Sequence, residues 1–595
     1  MMFYWYKFFL LAVRKRDRGF KKFIPVELYS FKIDRLYKRY CSTKSGKDAC
    51  RYKDEIMLSM TTTKQALKNR FTSKKPSNVP VDYEVLIIGS GLAGVGMACR
   101  LQQRQHKSLF GRKGANKATR NQSPKKKTAQ RFVILEKRAD LGGTWDLFTY
   151  PGVRSDSDAL TFGYGFRPWL DHRMLAKGAD IKRYIADTAR EFGVTEHIRY
   201  QHEVQQLSWS STTQRWTAMV KNQSSGEVFA LTANFVVGAT GYYDYEQGYR
   251  PHFEKEEAFR GQIVHPQHWQ NVDYDDKKVV IIGSGATAMT LLPALVDQES
   301  AQCARHVTLL QRTPTYVASV PGDDYSLDWL SGSLSPLSKE QAYTVLRARN
   351  VLMQQGIYRA AIFAPRAMKA ILKHGVKKEL KGSNVDVAHF LPSYNPWDER
   401  LCAVPDSDLF NALHHKRADI ITDQIDCFMQ TGIRLQSGQH LDADIIVTAT
   451  GLKIQMLGGA SVYIDGQAVD IGSRMTYKAT MIEGIPNMVA LFGYTNASWT
   501  LKIDLACQYV IRLLDYMNKH RYQVALPQAK TDHSEAHIQE DTVMGALSAG
   551  YVRRAINELP KQGDRYPWYV TNNYLSDRVM LKYRQIKDDW LHFSR

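Results

Sequence analysis

Two short stretches of this chain have the glycine spacing of a phosphate-binding turn. The first, YEVLIIGSGLAGVGMACRLQ, carries Gly89, Gly91, Ala93 and Gly94. The second, KKVVIIGSGATAMTLLPAL, carries Gly283, Ser284, Gly285, Ala286, Thr287, Ala288 and Met289. Each follows an apolar run of strand length and opens a segment of helical composition. In such a turn the first glycine allows the bend and the second lets the backbone approach a pyrophosphate. The third position packs helix on sheet. The pyrophosphate rests on the helix N-terminus, where unpaired N–H groups favour negative charge. One loop of this kind is a weak signal; two of them point to two dinucleotides.

The residue that closes the next strand distinguishes the two loops. RFVILEKR supplies Glu136, an acid suited to ribose hydroxyls and so to FAD. HVTLLQRTPTY ends in Gln311 and Arg312, and an arginine there suits the 2′-phosphate of NADPH. Gly89 and Glu136 are 47 residues apart, where roughly 20 are expected. The excess coincides with the basic stretch 103–130, read as a surface excursion between helix and strand. Two ATG turns, Ala239–Gly241 and Ala449–Gly451, end further β-rich runs, with glycines suited to backbone passing from one domain to another.

Ahead of the second loop stands FRGQIVHPQHW, in which Phe259, Gly261, His265 and Trp269 follow neither a helical nor a strand period. Other distinctive stretches are GGTWDLFTYPGVRSDSDALTFGYGFRPW, YNPWDERLCAVPDSDLF and YTNASWTLKIDL. With these motifs in order, residues 82–595 resemble the class B flavoprotein monooxygenases, within them the Baeyer–Villiger group, whose fingerprint is FxGxxxHxxx[WP]. The similarity is greatest to the bacterial ethionamide-activating type.

That resemblance implies an NADPH- and O2-dependent enzyme. Through a peroxyflavin it would insert one oxygen atom into ketones, giving esters or lactones, and oxidise thioether or thioamide sulfur. It implies Arg400, in NPWDERL, as the cation beside the reacting oxygen and Asp156, in RSDSD, as the carboxylate that orients it. It makes His265 either a coupler of nicotinamide movement to the flavin domain or a structural hydrogen-bonder. For FAD it implies Gly89, Gly91, Ala93, Gly94, Glu136, Thr144, Trp145, Asp146, Leu147, Asp156 and Val204. For NADP it implies Arg154, Ser155, Gly283 through Met289, Gln311 and Arg312. It calls for no metal. An N-hydroxylating monooxygenase, and a non-catalytic flavoprotein tethered by basic segments, are the alternatives. A flavin disulfide reductase is disfavoured because none of the seven cysteines forms a CxxC pair.

The elements needed to position these residues make an α/β protein with two Rossmann-like dinucleotide-binding domains and a helical subdomain. The expected boundaries are an FAD domain in two parts, 81–246 and 440–595, around an NADP domain at 247–439. A helical insertion occupies about 322–392; its apolar stripe, within SKEQAYTVLRARNVLMQQGIYRAAIFAPRAMKAILKH, is read as core. Residues 1–80 are read as a basic extension, disordered or following a misassigned start. The net charge of +22 is located in two places. Residues 1–80 carry 20 Lys and Arg against 6 Asp and Glu, and 103–130 carry 9 against none. A near-neutral body gives no reason to expect nucleic acid as a partner. The opening MMFYWYKFFLLAV lacks secretory order and is too short to span a bilayer. The expectation is a cytoplasmic protein, compatible with peripheral contact at the inner face of the cell membrane, with small-molecule substrate and O2 as partners.

Overall fold

The computed structural model describes residues 80–110, 131–332, 335–399, 401–531, 534–545, 547 and 549–595. The expected extension as far as residue 79, residues 111–130 of the basic insertion, and Arg400 lie outside the described residues.

The first nucleotide loop leaves strand β1 (Tyr83–Ile88) and enters helix α1 (Leu92–Phe110). β1 lies between β2 (Phe132–Leu135) and β3 (Val228–Gly238), parallel to both, with Ile87 opposite Ile134 and Val237. A central parallel strand is covered on both faces, so its sequence is continuously apolar rather than alternating. Val85 and Ile87 enter one core and Leu86 and Ile88 another. The sheet extends through an antiparallel meander, His202–Ser210 and Arg215–Asn222, and the strand Met488–Ala490 returns to β3. α1 continues to Phe110, so the first part of the stretch read as excursion is helix.

The second sheet is wholly parallel: β4 (Gln262–Val264), β5 (Lys278–Ile282), β6 (His306–Gln311), β7 (Ala418–Thr422) and β8 (Ile445–Thr448), in the spatial order β7-β6-β5-β8-β4. β5 leads through the second loop into α2 (Ala286–Leu295). β8 corrects the expected boundary at 440: it lies between β5 and β4, so the chain leaves this sheet only at Ala449. An apolar run of four residues shows that a strand exists, but not which strands it separates.

The helical insertion consists of the short helix Ser326–Ser331 and a hairpin of α3 (Lys339–Phe363) and α4 (Pro365–Glu379). It opens with a capping box between Ser338 and Gln341. Its flanking strands, Tyr316–Val320 and Leu401–Pro405, pair with each other. α3 is tied to the first lobe: Tyr343 donates to Leu160 O (2.9 Å) and Arg347 to Leu160 O and Gly163 O (2.6 and 2.7 Å). Only part of its apolar surface is core. Ala342, Tyr343, Leu346 and Val351 are buried, whereas Val345, Leu352, Met353 and Phe363 face outward, contrary to the core reading.

Helix α5 (Trp499–His520) packs against α1 and carries Lys502, whose side chain is 2% exposed. Its ammonium lies 3.2 Å from Asp577, itself fully buried. Asp577 also accepts from Tyr494 Oη (2.7 Å) and Thr571 Oγ1 (2.5 Å), which anchors the first residue of YTNASW. Removing the acid strands a buried cation, whereas replacing both charges with apolar groups does not. Asp577→Ala is expected to cost about 3–5 kcal/mol and Lys502→Met/Asp577→Leu much less. Urea unfolding of the two variants checks this, and equal losses would contradict it.

Candidate active site

A cavity of about 540 Å³ opens where the C-terminal end of the first sheet faces the start of α2, the α3 helix and the YTNASW segment. Its volume is in the range of small-molecule and cofactor sites. The first nucleotide loop and the start of α2 that follows the second contribute, and each loop is built on the same close contact. A Cβ on Gly89 (φ +98°) would lie 2.7 Å from Ala239 O, and one on Gly283 (φ +134°) would lie 2.3 Å from Ala449 O. Both positions therefore demand glycine twice over, for conformation and for space. The two ATG turns are the surfaces that press on them.

On the first lobe, Gly89, Gly91, Ala93, Glu136, Thr144, Trp145 and Val204 line the cavity, as do Ser155 and Asp156. Gly94 is the helix-packing position, where a Cβ would fall 1.9 Å from Gly89 O. Glu136 is 5% exposed; Oε2 accepts from Ser90 N–H (2.7 Å) and Oγ–H (2.9 Å), and Oε1 from Arg138 N–H (2.9 Å). A carboxylate offers about four acceptor positions, so one is left for a ligand hydroxyl. Trp145 stands edge-on to Phe162, with centroids 5.8 Å apart. Besides Gly94, two expected FAD contacts do not reach the cavity. Asp146 is held by Arg138 (2.6 Å) and Lys182 (2.7 Å), and Leu147 is buried in the core of the second lobe.

On the second lobe, Ala286, Thr287 and Met289 reach the cavity, while Ala288 is packed in the core. Gly283, Ser284, Gly285 and Arg312 are outside it; Arg312 and Gly285 are exposed. Gln311 is a correction: it is 1% exposed, and its Nε2 donates to His389 O (2.7 Å) and Thr422 Oγ1 (3.0 Å). It braces the β6–β7 edge instead of facing a cofactor.

Arg154 is the strongest anion site among the cavity-lining residues. Its side chain is 10% exposed, and Nη1 pairs with Asp408 Oδ2 at 2.7 Å. Its Nε and Nη2 are buried without hydrogen-bond partners, and the residue lines the cavity. Two unmatched charged donors in a closed space call for an anionic acceptor. Burial raises the Asp408 pKa, against the pull of Arg154. Ser498 Oγ, Asn496 Oδ1 and Gln354 Oε1 are likewise buried, unpartnered and on the wall. These groups fit polar cofactors of the dinucleotide class. The lobes meet tightly nearby: a Cβ on Gly152 would lie 2.3 Å from Thr290 O on α2.

Several wall residues escaped the sequence reading. Gln354 and Tyr358 arrive on α3, and Asp158 is bound by Asn350 Nδ2 (2.9 Å) and Gln354. Tyr245 is half-buried, and desolvation pushes its hydroxyl pKa up. Tyr242 and Trp499 form an aromatic wall with centroids 5.0 Å apart. Of these, Asp158 lies in the RSDSD motif and Trp499, like Asn496 and Ser498, in YTNASW. Arg400 lies outside the described residues, but Glu399 and Leu401 both line the cavity.

His265 is not on the cavity wall. It sits at the crossing between the lobes, where the two connecting segments run side by side. Asp244 N–H donates to Lys453 O (2.9 Å), Tyr249 N–H to Gly451 O (3.0 Å), Gln455 N–H to Tyr242 O (3.1 Å) and Thr450 Oγ1 to Tyr249 O (2.7 Å). The His265 ring occupies the space a Cβ on Gly248 would take, and its Nδ1 accepts from Gln267 N–H (3.2 Å). Gln267 in turn donates to Asp244 O (2.9 Å). Burial lowers the His265 pKa, and its Nε2 is buried without a hydrogen-bond partner.

A family model for pyridine nucleotide-disulphide oxidoreductases matches residues 83–324, which include both loops. The only cysteines in that span, Cys99 and Cys303, are too far apart in sequence for a CxxC pair. The chain is 45% identical over 513 residues to the probable FAD-binding monooxygenase AlmA of Acinetobacter baylyi, covering 86% of this chain and 96% of that protein. It is 45% identical over 514 residues to the FAD-containing monooxygenase EthA of Mycobacterium tuberculosis, covering 86% and 98%. Among solved structures, OTEMO in complex with FAD and NADP aligns with TM-score 0.57 at 18% identity, over 77% of this chain and 88% of that one. The open structure of cyclohexanone monooxygenase aligns with TM-score 0.57 at 16% identity, over 75% and 89%. The structural likenesses speak to the fold, and the sequence relatives, matched across most of both chains, to the family: the chain belongs to the FAD-containing monooxygenases.

Proposed function

We propose that the protein uses NADPH and O2 to insert one oxygen atom into ketones, giving esters or lactones, and to oxidise thioether or thioamide sulfur. The observation that carries this reading is a single cavity that joins the Glu136 end of one nucleotide loop, the α2 end of the other, and the unmatched donors of Arg154. Gly89, Gly91, Ala93, Glu136, Trp145 and Val204 would hold FAD; Arg154, Thr287 and Met289 would hold the nicotinamide nucleotide. FAD, when bound and reduced, supplies the chemistry that activates dioxygen.

The chain's own residues do the rest. Tyr242 and Trp499 close one side with aromatic surface, keeping water from the reacting atoms. Arg154, oriented by Asp408, neutralises a phosphate in a site too dry for water to do so. Arg400, which Glu399 and Leu401 flank in sequence, is proposed as the permanent cation where negative charge develops on the transferred oxygen. Asp156, in the RSDSD motif, lines the same cavity and is its proposed orienting carboxylate. His265, packed against both crossing segments, is a positioning residue that couples the lobes.

Product analysis by mass spectrometry with a panel of ketones and thioethers tests the reaction; NADPH consumed with only hydrogen peroxide formed across the panel would count against it. Arg154→Ala should retain FAD and raise the KM for NADPH roughly 10- to 100-fold, the loss of a charge-assisted hydrogen bond. Arg400→Ala should leave flavin reduction by NADPH intact while oxygenated product falls about 10²- to 10³-fold; normal product formation would remove Arg400 from the mechanism. For His265, the folded pKa lies below the unfolded value of about 6.5, so between the two the unfolded chain binds the extra proton. Its contribution to stability is complete above that unfolded value and is lost as the pH falls toward the folded pKa. His265→Asn, which keeps an acceptor for Gln267, should show a shallower loss of stability between neutral and mildly acidic pH, measured by denaturant unfolding.

A further inference from the structure

The outward face of the α3–α4 hairpin runs against the usual pattern of a soluble helix. Val345, Leu352 and Phe363 are spaced seven and eleven residues apart, which places them on one helical line, with Met353 beside them. Phe363 is 85% exposed and the other three are more than half exposed. Trp329, on the short helix packed against α3, is 82% exposed, and Ile371 on α4 is 62% exposed. Isolated exposed apolar residues are ordinary, but a continuous line of them on a projecting hairpin marks a contact surface.

The charge on the same hairpin identifies what it contacts. Residues 339–381 hold ten Lys and Arg against two Glu. On α4, Arg366, Lys369, Lys373 and Lys377 recur at steps of three, four and four, along one face. No ion-pair partner for these four is seen among the described residues. A second copy of the chain would bring two like-charged faces together, and the chain's own N-terminal 80 residues are also strongly basic. An interfacial helix combines this pair of features: apolar side chains enter the acyl boundary while Lys and Arg meet anionic head groups. No helix among the described residues is long and apolar enough to cross a membrane.

We propose that the α3–α4 hairpin, with Trp329, docks the enzyme on the surface of an anionic lipid bilayer. The inner side of α3 carries Gln354, Ile357 and Tyr358 on the cavity wall, so docking sets the cavity wall against the lipid and gives molecules dissolved there a short path in. The surface stands on its own residues and does not depend on the reaction assigned above.

The test is flotation of the full-length, FAD-loaded protein with vesicles of phosphatidylcholine alone or with added phosphatidylglycerol. Wild type should float with the anionic vesicles and be released at high salt. Lys369→Glu/Lys373→Glu/Lys377→Glu should weaken binding roughly a hundredfold or more, and Leu352→Glu/Met353→Glu/Phe363→Glu should abolish it. Both variants should keep wild-type FAD content and NADPH oxidation with a small water-soluble ketone, because none of these side chains touches the cavity. Failure of wild type to float, flotation unchanged in both variants, or a solution dimer that the apolar variant dissolves would each overturn the proposal.

Discussion

The architecture depends on one close contact, made twice. At the mouth of each nucleotide loop the backbone passes so near the end of a neighbouring strand that no side chain can intervene: Gly89 lies against Ala239, and Gly283 against Ala449. The amide of each glycine is also fixed by the strand on the other side, Gly89 N–H to Leu135 O (2.8 Å) and Gly283 N–H to Leu310 O (2.9 Å). Each loop is thus clamped between two parallel strands, with the helix N-terminus aimed across the sheet edge. Clamping sets where phosphate can lie, and the alanine carbonyl that does it belongs to the residue where the chain begins its crossing to the other lobe. Nucleotide binding and interdomain connection are therefore parts of one piece of geometry.

The polar groups of the cavity divide by how completely they are matched. Glu136 is nearly saturated by Ser90 and Arg138, which makes it a rigid post with one vacancy. Arg154 is under-matched, with one nitrogen on Asp408 and two without partners. The first kind orders a loop in advance, at little further entropic cost when a ligand arrives. The second kind stores an unmet electrostatic demand that only an anion meets, so affinity is concentrated where the protein leaves its own charge unsatisfied.

Legibility from sequence followed how local each constraint is. The two loops, the acid closing β2 and the ATG turns could be read because each is a short run whose residue types are fixed by backbone conformation. The placement of β8 between β5 and β4 could not, because pairing order is a non-local choice between equally apolar strands. Gln311 and Asp146 were placed on cofactors by motif alignment, but side-chain direction at a strand end or helix turn is set by the available partners, here His389, Thr422, Arg138 and Lys182. Asp408 was invisible as the partner of Arg154, 254 residues away. The apolar period of α3 was legible as a helix, but a stripe wide enough to cover two faces does not say which face is inside.

The two crossing segments are bonded to each other from Tyr242 to Tyr249 on one and from Thr450 to Gln455 on the other. A single strand between two bodies is a swivel, free to twist as well as bend. Two strands tied side by side form a strap hinge, stiff to torsion and compliant in one bending direction. With the His265 ring filling the space beside Gly248 on that strap, the paired segments resist twisting of one lobe against the other, so the register between the two nucleotide loops is held by backbone pairing.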